Sequence, residues 1–221
     1  MKNLLIFGWI VLMAGTNFAQ EYQIGDHELL IMPTAYTMEQ GKSYFTDYEL
    51  FFLNYTYAVT NTTHLSAFTL FPVTNDFLQS FTIGAKQQYL NNEAFKAALT
   101  ATFTPKDGIV TFGTVFSIGK TPAGLHLGVS TASSLDPDES SGHWEWIYMA
   151  GYRIDVSRKI AIIAEYENFS SAVNEDFGGL LSLGVRFRGE SMTWDLAGVR
   201  PLENTGDFLF APLLKATFLI D

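Results

Sequence analysis

Ser80-Phe81-Thr82-Ile83-Gly84-Ala85-Lys86-Gln87-Gln88-Tyr89 carries Phe81, Ile83, Ala85 and Tyr89 on one face and Ser80, Thr82, Gly84, Lys86 and Gln88 on the other. The next segment repeats the pattern, with Phe95, Ala97, Leu99, Ala101 and Phe103 on one side and Lys96, Ala98, Thr100, Thr102 and Thr104 on the other. Side chains of a strand alternate between faces, so a run of this length predicts β-structure with one apolar face. The same alternation marks strands near residues 29–37, 44–59, 64–71, 79–90, 94–104 and 109–119. Six more fall near 124–132, 144–154, 159–169, 179–188, 193–200 and 208–220.

Segments of about 10–12 residues, rising roughly 3.3 Å per residue and tilted by about 40–45°, cover approximately 25 Å, the height of an outer-membrane apolar band. Strands of ordinary sandwiches are nearer five or six residues. The connections also fall into two sets. Residues 60–63, 91–93, 120–123, 155–158 and 189–192 are short and rich in turn formers, whereas 133–143 and 170–178 are longer and acidic. Short periplasmic turns, longer outer loops and an even strand number are the arrangement of outer-membrane barrels. Trp144, Trp146 and Tyr148, Tyr55 and Tyr57, and Tyr152 and Tyr166 read as aromatic girdle residues.

The N-terminus decides which solvent the apolar face meets. Lys2, an apolar run from Leu4 to Ala14 and the small-residue stretch ending at Ala19 read as a secretory signal over residues 1–19, followed by a barrel domain over 20–221. That run is too short to cross a bilayer, and no other segment approaches the roughly 18 continuous apolar residues of a membrane helix. A chain that enters a membrane this way must do so as a closed barrel, since only helices and closed barrels satisfy every backbone group in lipid. The expected location is the outer membrane of a Gram-negative cell.

Composition narrows the function classes. The chain has no cysteine, which excludes a disulfide scaffold, a thiolate metal site, a cysteine nucleophile and a lipidated N-terminal cysteine. Removing residues 1–19 takes away Lys2 and no acid, leaving 12 Lys and Arg against 23 Asp and Glu, so nucleic acid is not an expected partner. No linker or charge block divides the remaining residues into two domains.

The Ala19-Gln20 signal end, Met32-Pro33-Thr34-Ala35 leading into Asp47-Tyr48-Glu49-Leu50-Phe51-Phe52-Leu53, and Thr82-Ile83-Gly84-Ala85-Lys86 resemble small outer-membrane β-barrel proteins of Bacteroidota. That resemblance implies a fold and a compartment, and no activity. One departure is the last strand, which ends Phe218-Leu219-Ile220-Asp221 rather than on an aromatic residue.

Turning the strongly apolar face outward leaves Lys86, Lys96, Glu145, Arg153, Glu165, Glu167, Arg186, Asp195 and Lys215 lining the lumen. Two readings follow: a narrow channel for a small polar solute, with rings of charge setting selectivity, or a structural or envelope-assembly barrel whose mixed charges pair and plug the interior. A soluble ligand-binding barrel would need the apolar face inside. Outer-membrane lipid and the barrel-assembly machinery are the expected partners, with no cofactor.

No catalytic set emerges, so the chain is not read as an enzyme. His126 alternates with Leu125 and Leu127 and points inward as a hydrogen-bonded filler. His27, His64 and His143 lack metal-site spacing, and Asp136-Pro137-Asp138-Glu139-Ser140-Ser141-Gly142 lacks the full order of a calcium loop.

Two register expectations close the reading. A three-residue loop at 91–93 would set Gln88 opposite Lys96 and Tyr89 opposite Phe95. A four-residue connection at 189–192 would set Arg186 opposite Asp195 and a two-residue turn would leave the two diagonal; in either register they share the lumenal face and are expected to form a salt bridge.

Overall fold

In the computed structural model, which describes residues 23–70, 80–119, 121–135, 145–168, 178–202 and 210–220, the chain closes into a barrel of twelve antiparallel strands. They are β1 (Ser43–Tyr48), β2 (Phe52–Thr60), β3 (Thr63–Leu70), β4 (Thr82–Asn91), β5 (Phe95–Thr104) and β6 (Ile109–Ile118). The second half comprises β7 (Gly124–Ser134), β8 (Glu145–Asp155), β9 (Ile160–Asn168), β10 (Leu180–Arg188), β11 (Met192–Pro201) and β12 (Ala211–Ile220). Each strand pairs with its chain neighbours, and β1 closes on β12 with Ser43 opposite Ile220. Closure leaves no sheet edge, which is the requirement for crossing lipid with strands. Residues 1–19, read from the sequence as a signal, lie outside the described residues, as do Trp144, His143 and most of the acidic 133–143 and 170–178 loops.

Facing follows the alternation. Leu65, Ile83, Leu99, Phe112, Ile162 and Leu196 are exposed on the outer surface, while the residues between them turn inward. A soluble barrel with its apolar face inside is therefore contradicted. The girdle residues Tyr55, Tyr57, Trp146 and Tyr148 are also exposed on the outside.

One end of the barrel carries the turns at 61–62, 92–94, 119–123, 156–159 and 189–191 and also holds the C-terminal Ile220. By the length rule for outer-membrane barrels this is the periplasmic end. The opposite end carries connections at 71–81, 135–144, 169–179 and 202–210, together with two short ones at 49–51 and 105–108.

Two strand assignments from the sequence need correction, and they compensate. Residues 29–37 form no barrel strand. Leu29-Leu30-Ile31-Met32-Pro33 is continuously apolar where a membrane strand must alternate, and Pro33 cannot donate to a ladder. The stretch instead folds into a tight hairpin inside the barrel, with Leu29 N donating to Met32 O at 2.8 Å and Thr34 N to His27 O at 3.0 Å. Residues 44–59, read as one strand, are two: β1 and β2 are joined at 49–51, where Glu49 (φ 58) and Leu50 (φ 64) take left-handed backbone. One strand lost and one gained keep the count even and every later connection on its expected side.

The β4–β5 register also differs from expectation. Asn91 faces Lys96, Leu90 faces Ala97 and Gln88 faces Ala98, so a bulge at Tyr89 separates the two regular stretches. The chain reverses through Glu93 and Ala94, closed by Asn92 N to Phe95 O at 2.9 Å. A two-residue turn alone would have put one strand's polar set into lipid. The extra residue at the bulge restores the alternation, so Gln88 is buried and Lys96 remains on the inner face.

Candidate functional site

The interior is filled at mid-height by the hairpin of residues 25–36, and the inward charges hold its main chain. Leu29, Leu30 and Met32 are fully buried and pack on Ile163, with Met149, Ala197 and Leu213 around them. Two glycines of the wall make this room. A Cβ at Gly151 would collide with Leu29 Cδ1, and one at Gly184 would press on Leu30 Cδ2. Inward-facing glycines on β8 and β10 thus form niches for the two leucines.

Arg186 donates to Glu28 O at 3.1 Å and Leu29 O at 2.6 Å and also reaches Gly25 O. Lys215 donates to Leu29 O at 2.7 Å and Leu30 O at 3.0 Å, and its ammonium lies 2.9 Å from Glu28 Oε1 and 3.4 Å from Asp195 Oδ2. Lys86 uses its three protons on His27 O (3.1 Å), Thr34 O (3.2 Å) and Tyr36 O (2.8 Å). Glu165 accepts from the other polarity, taking Leu30 N at 2.5 Å and Ile31 N at 3.0 Å. Backbone groups removed from water must find partners, and here side chains of the wall supply them.

Ion pairs anchor the hairpin toward the periplasmic end. Arg153 Nη1 lies 2.5 Å from Asp26 Oδ1 with both side chains fully buried, and its Nε lies 2.9 Å from Asp155 Oδ1. Arg188 also pairs with Asp155. The expected partnership of Arg186 and Asp195 is present, with Nη2 to Oδ2 at 2.7 Å. Tyr48 donates its hydroxyl to Glu28 Oε2 at 2.8 Å, and Tyr44 stacks on His27 at 3.7 Å between ring centroids.

Past the hairpin, smaller contacts steer the chain to β1. Ala35 N donates to Ser117 Oγ at 2.9 Å, Met38 N to His64 Nε2 at 2.8 Å, and Gln88 Nε2 to Ala35 O at 2.7 Å. His126 is buried, its Nδ1 2.8 Å from Ser117 Oγ and its Nε2 3.0 Å from Pro122 O. Lys96 sits near the periplasmic rim, bonded to Asn91 and Asn92 and 5.3 Å from the centroid of Tyr36. Glu145 opens β8 opposite Ala132.

Lys86, Arg153, Glu165, Arg186, Asp195 and Lys215 therefore converge on one object, which inspection of strands alone did not reveal. Asp26, Glu28, Asp155 and Arg188 were missed as partners. A signal for the first two existed: Gly25-Asp26-His27-Glu28 is polar and turn-forming, and it precedes the unalternating Leu29–Met32 run.

The hairpin divides the interior into two chambers. The outer one, about 320 Å³, is bounded by the hairpin's Ile31 and Pro33 and by walls that include Asn54, Thr100, Ser130 and Glu167. The periplasmic one, about 560 Å³, includes Tyr36, Gln40, Asn61, Gln88 and Lys96. Glu167 is 3% exposed, and its Oε2 has no hydrogen-bond partner among the described residues. Among the described residues no group of three or more His, Asp or Glu is placed to hold a metal ion.

No family model matches the chain, and no curated protein matches it. Solved structures do. A KdgM porin in complex with disordered oligogalacturonate is similar at a TM-score of 0.53 and 7% identity, covering 81% of this chain and 98% of that one. The Acinetobacter baumannii outer membrane protein Omp33 scores 0.42 at 11% identity, covering 81% and 96%. A mutant of the Rh. blastica porin scores 0.40 at 12% identity, covering 76% of this chain and 55% of that one. The likeness to the first is one of fold. A closed barrel with an apolar exterior and charged interior is a porin-like outer-membrane barrel, resident in the outer membrane.

Proposed function

We propose that this protein is an outer-membrane barrel sealed at rest by its own N-terminal segment, with the ion-paired interior serving as the seat of that seal. The observation that carries the reading is the set of bonds from Lys86, Arg186, Lys215 and Glu165 to the main chain of residues 27–36 at mid-barrel. Were these charges lining an open polar pore, their donors would face water. Here they are spent on carbonyls and amides of a segment that fills the cross-section. In a poorly hydrated interior such charges hold their partners tightly, because breaking one leaves the other uncompensated.

Planar-bilayer recording of the refolded mature chain tests this. The expected result is silence under a voltage at which a version lacking residues 24–36 shows discrete openings. Frequent openings of the full mature chain would overturn the sealed reading and favour a narrow channel for a small polar solute. The feature that favours such a channel is the pair of chambers flanking the hairpin, which would join if it moved.

As to the N-terminus, the reading keeps residues 1–19 as a cleaved signal and 20–221 as the barrel domain. The barrel-assembly machinery is the partner that such a chain would need for insertion.

A further inference from the structure

We propose that the outer chamber is a binding site for a small organic ammonium, with the Glu167 carboxylate taking the charged nitrogen and the Ile31, Pro33, Ile147 and Met149 side chains taking the carbon body. The chamber belongs to the outer half of the barrel, since Glu167 stands one residue from the end of β9 and Ile147 and Met149 near the start of β8.

The donor and acceptor balance of the interior points to a cationic guest. The three cations nearest the hairpin have no donor to offer: Lys86 is bound to three carbonyls, Lys215 to two carbonyls and the Glu28 carboxylate, and Arg186 to three carbonyls and Asp195. The carboxylates used by the hairpin are likewise occupied. Glu165 receives Leu30 and Ile31 amides, and Glu28 receives the Tyr48 hydroxyl on Oε2 and is ion-paired with Lys215 through Oε1. What remains at the chamber is mainly carboxylate and amide acceptor capacity, set against one imidazole N–H, that of His64 Nδ1, whose ring accepts Met38 N on Nε2. Among the described residues, Glu167 Oε2 is buried without a partner, and so is Asn54 Oδ1, another residue of the lining. A buried carboxylate lacking a partner is costly, and a ligand that brings N–H donors and positive charge relieves that cost.

The chemistry excludes the two obvious alternatives. An anion would meet saturated cations and the Glu167 carboxylate, with only the neutral imidazole N–H of His64 to receive it. A divalent metal such as calcium takes six to eight oxygen ligands, and one free carboxylate with a single amide oxygen falls far short. The apolar portion of the wall instead suits methylenes, and a volume of about 320 Å³ is at the small end of ligand pockets. The inference goes beyond the sealed-barrel reading and needs only that the hairpin keep its place as the chamber floor.

The experiment is calorimetric titration of n-butylammonium and of butan-1-ol into the refolded mature chain, in a maltoside detergent whose headgroup carries no ammonium. Salt at about 0.15 M screens the general attraction of an acidic protein for cations. The expected result is saturable binding of the amine, with the alcohol at least about tenfold weaker, equivalent to about 1.4 kcal/mol. Glu167→Gln should weaken the amine by at least that factor and leave the alcohol unchanged. Ser130→Trp, which fills the chamber from the position beside Ile147, should abolish binding and decides the matter if the Gln variant fails to show the heat-modifiable migration of a folded barrel. No amine binding, equal binding of amine and alcohol, or amine binding indifferent to both substitutions would each overturn the proposal. Because bilayer conductance is not the readout, its failure is distinguishable from failure of the sealed-barrel reading.

Discussion

The Arg186 guanidinium meets the Asp195 carboxylate twice, Nε to Oδ1 at 2.7 Å and Nη2 to Oδ2 at 2.7 Å, and the two residues are direct cross-strand partners. The same guanidinium carries the carbonyls of Glu28 and Leu29 on its other edge. The pair is therefore both a strand clamp and the anchor of the hairpin. Asp195→Asn should lower stability by about 3–5 kcal/mol, read as the thermal midpoint in detergent, because a buried charge loses its counter-ion. Arg186→Met/Asp195→Leu should not recover the loss, since hairpin carbonyls then lose their donor. Full recovery would show that the hairpin bonds contribute nothing.

Glu165 separates charge from hydrogen-bond capacity. Glu165→Ala strips the acceptor from the buried Leu30 N, at an expected cost of about 1–3 kcal/mol, and from the half-buried Ile31 N, at a smaller one. Glu165→Gln retains one oxygen that can serve them. Thermal unfolding should rank the wild type above Gln and Gln above Ala, and an Ala variant as stable as the wild type would mean that the tip is not seated as described.

Because the chain has no cysteine, one introduced thiol reports on the hairpin without background. Leu30 is fully buried, so Leu30→Cys in the folded barrel should resist a water-soluble maleimide. Adding Gly151→Leu, which places a side chain where Leu29 Cδ1 sits, should raise the labelling rate by at least about tenfold, an opening about 1.4 kcal/mol easier. Equal rates in the two proteins would contradict the niche.

Facing can be tested at neighbouring positions of β5. Leu99 is exposed on the outer surface, and Leu99→Arg at mid-depth should cost about 2–4 kcal/mol of folding free energy in lipid vesicles. Thr102→Arg, inward beside the outer chamber, should cost less than half as much. Reversal of that order would place the wrong face in lipid.

The bulge at Tyr89 predicts which deletion the β4–β5 hairpin tolerates. Removing Tyr89 leaves Gln88 opposite Ala98 and Leu90 opposite Ala97 with no shift between them, and the barrel should assemble with a loss under about 1.5 kcal/mol. Removing Ala85 instead flips the facing of one side of β4 and should abolish the heat-modifiable band.

Much of the fold was legible because lipid imposes a simple rule on the exterior. Phe95, Leu99 and Phe103 had to share a face, and Arg186 and Asp195 had to share the other, whatever the turn between their strands. The alternation therefore set facing wherever it was continuous and brought Arg186 within reach of Asp195, while the choice between direct and diagonal neighbours was made by the 189–192 connection as it folds. It failed at Leu29–Met32, whose apolar residues are as greasy as a strand's but lack its period. It also failed at Glu49 and Leu50, where left-handed backbone is taken by residues that carry no glycine-like turn signal.

By itself, the sequence determined that this chain has an apolar belt facing outward and a mixed-charge interior, since each is a local, period-2 property of hydrophobicity. Only the tertiary structure decided what the interior charges meet. Lys86, Glu165, Arg186 and Lys215 come from β4, β9, β10 and β12, and their partners are main-chain carbonyls and amides of residues 25–36. Backbone groups carry no residue-specific signature, so a side chain that binds them leaves no complementary residue elsewhere in the sequence to find. The inserted hairpin is visible only once the barrel has closed around it.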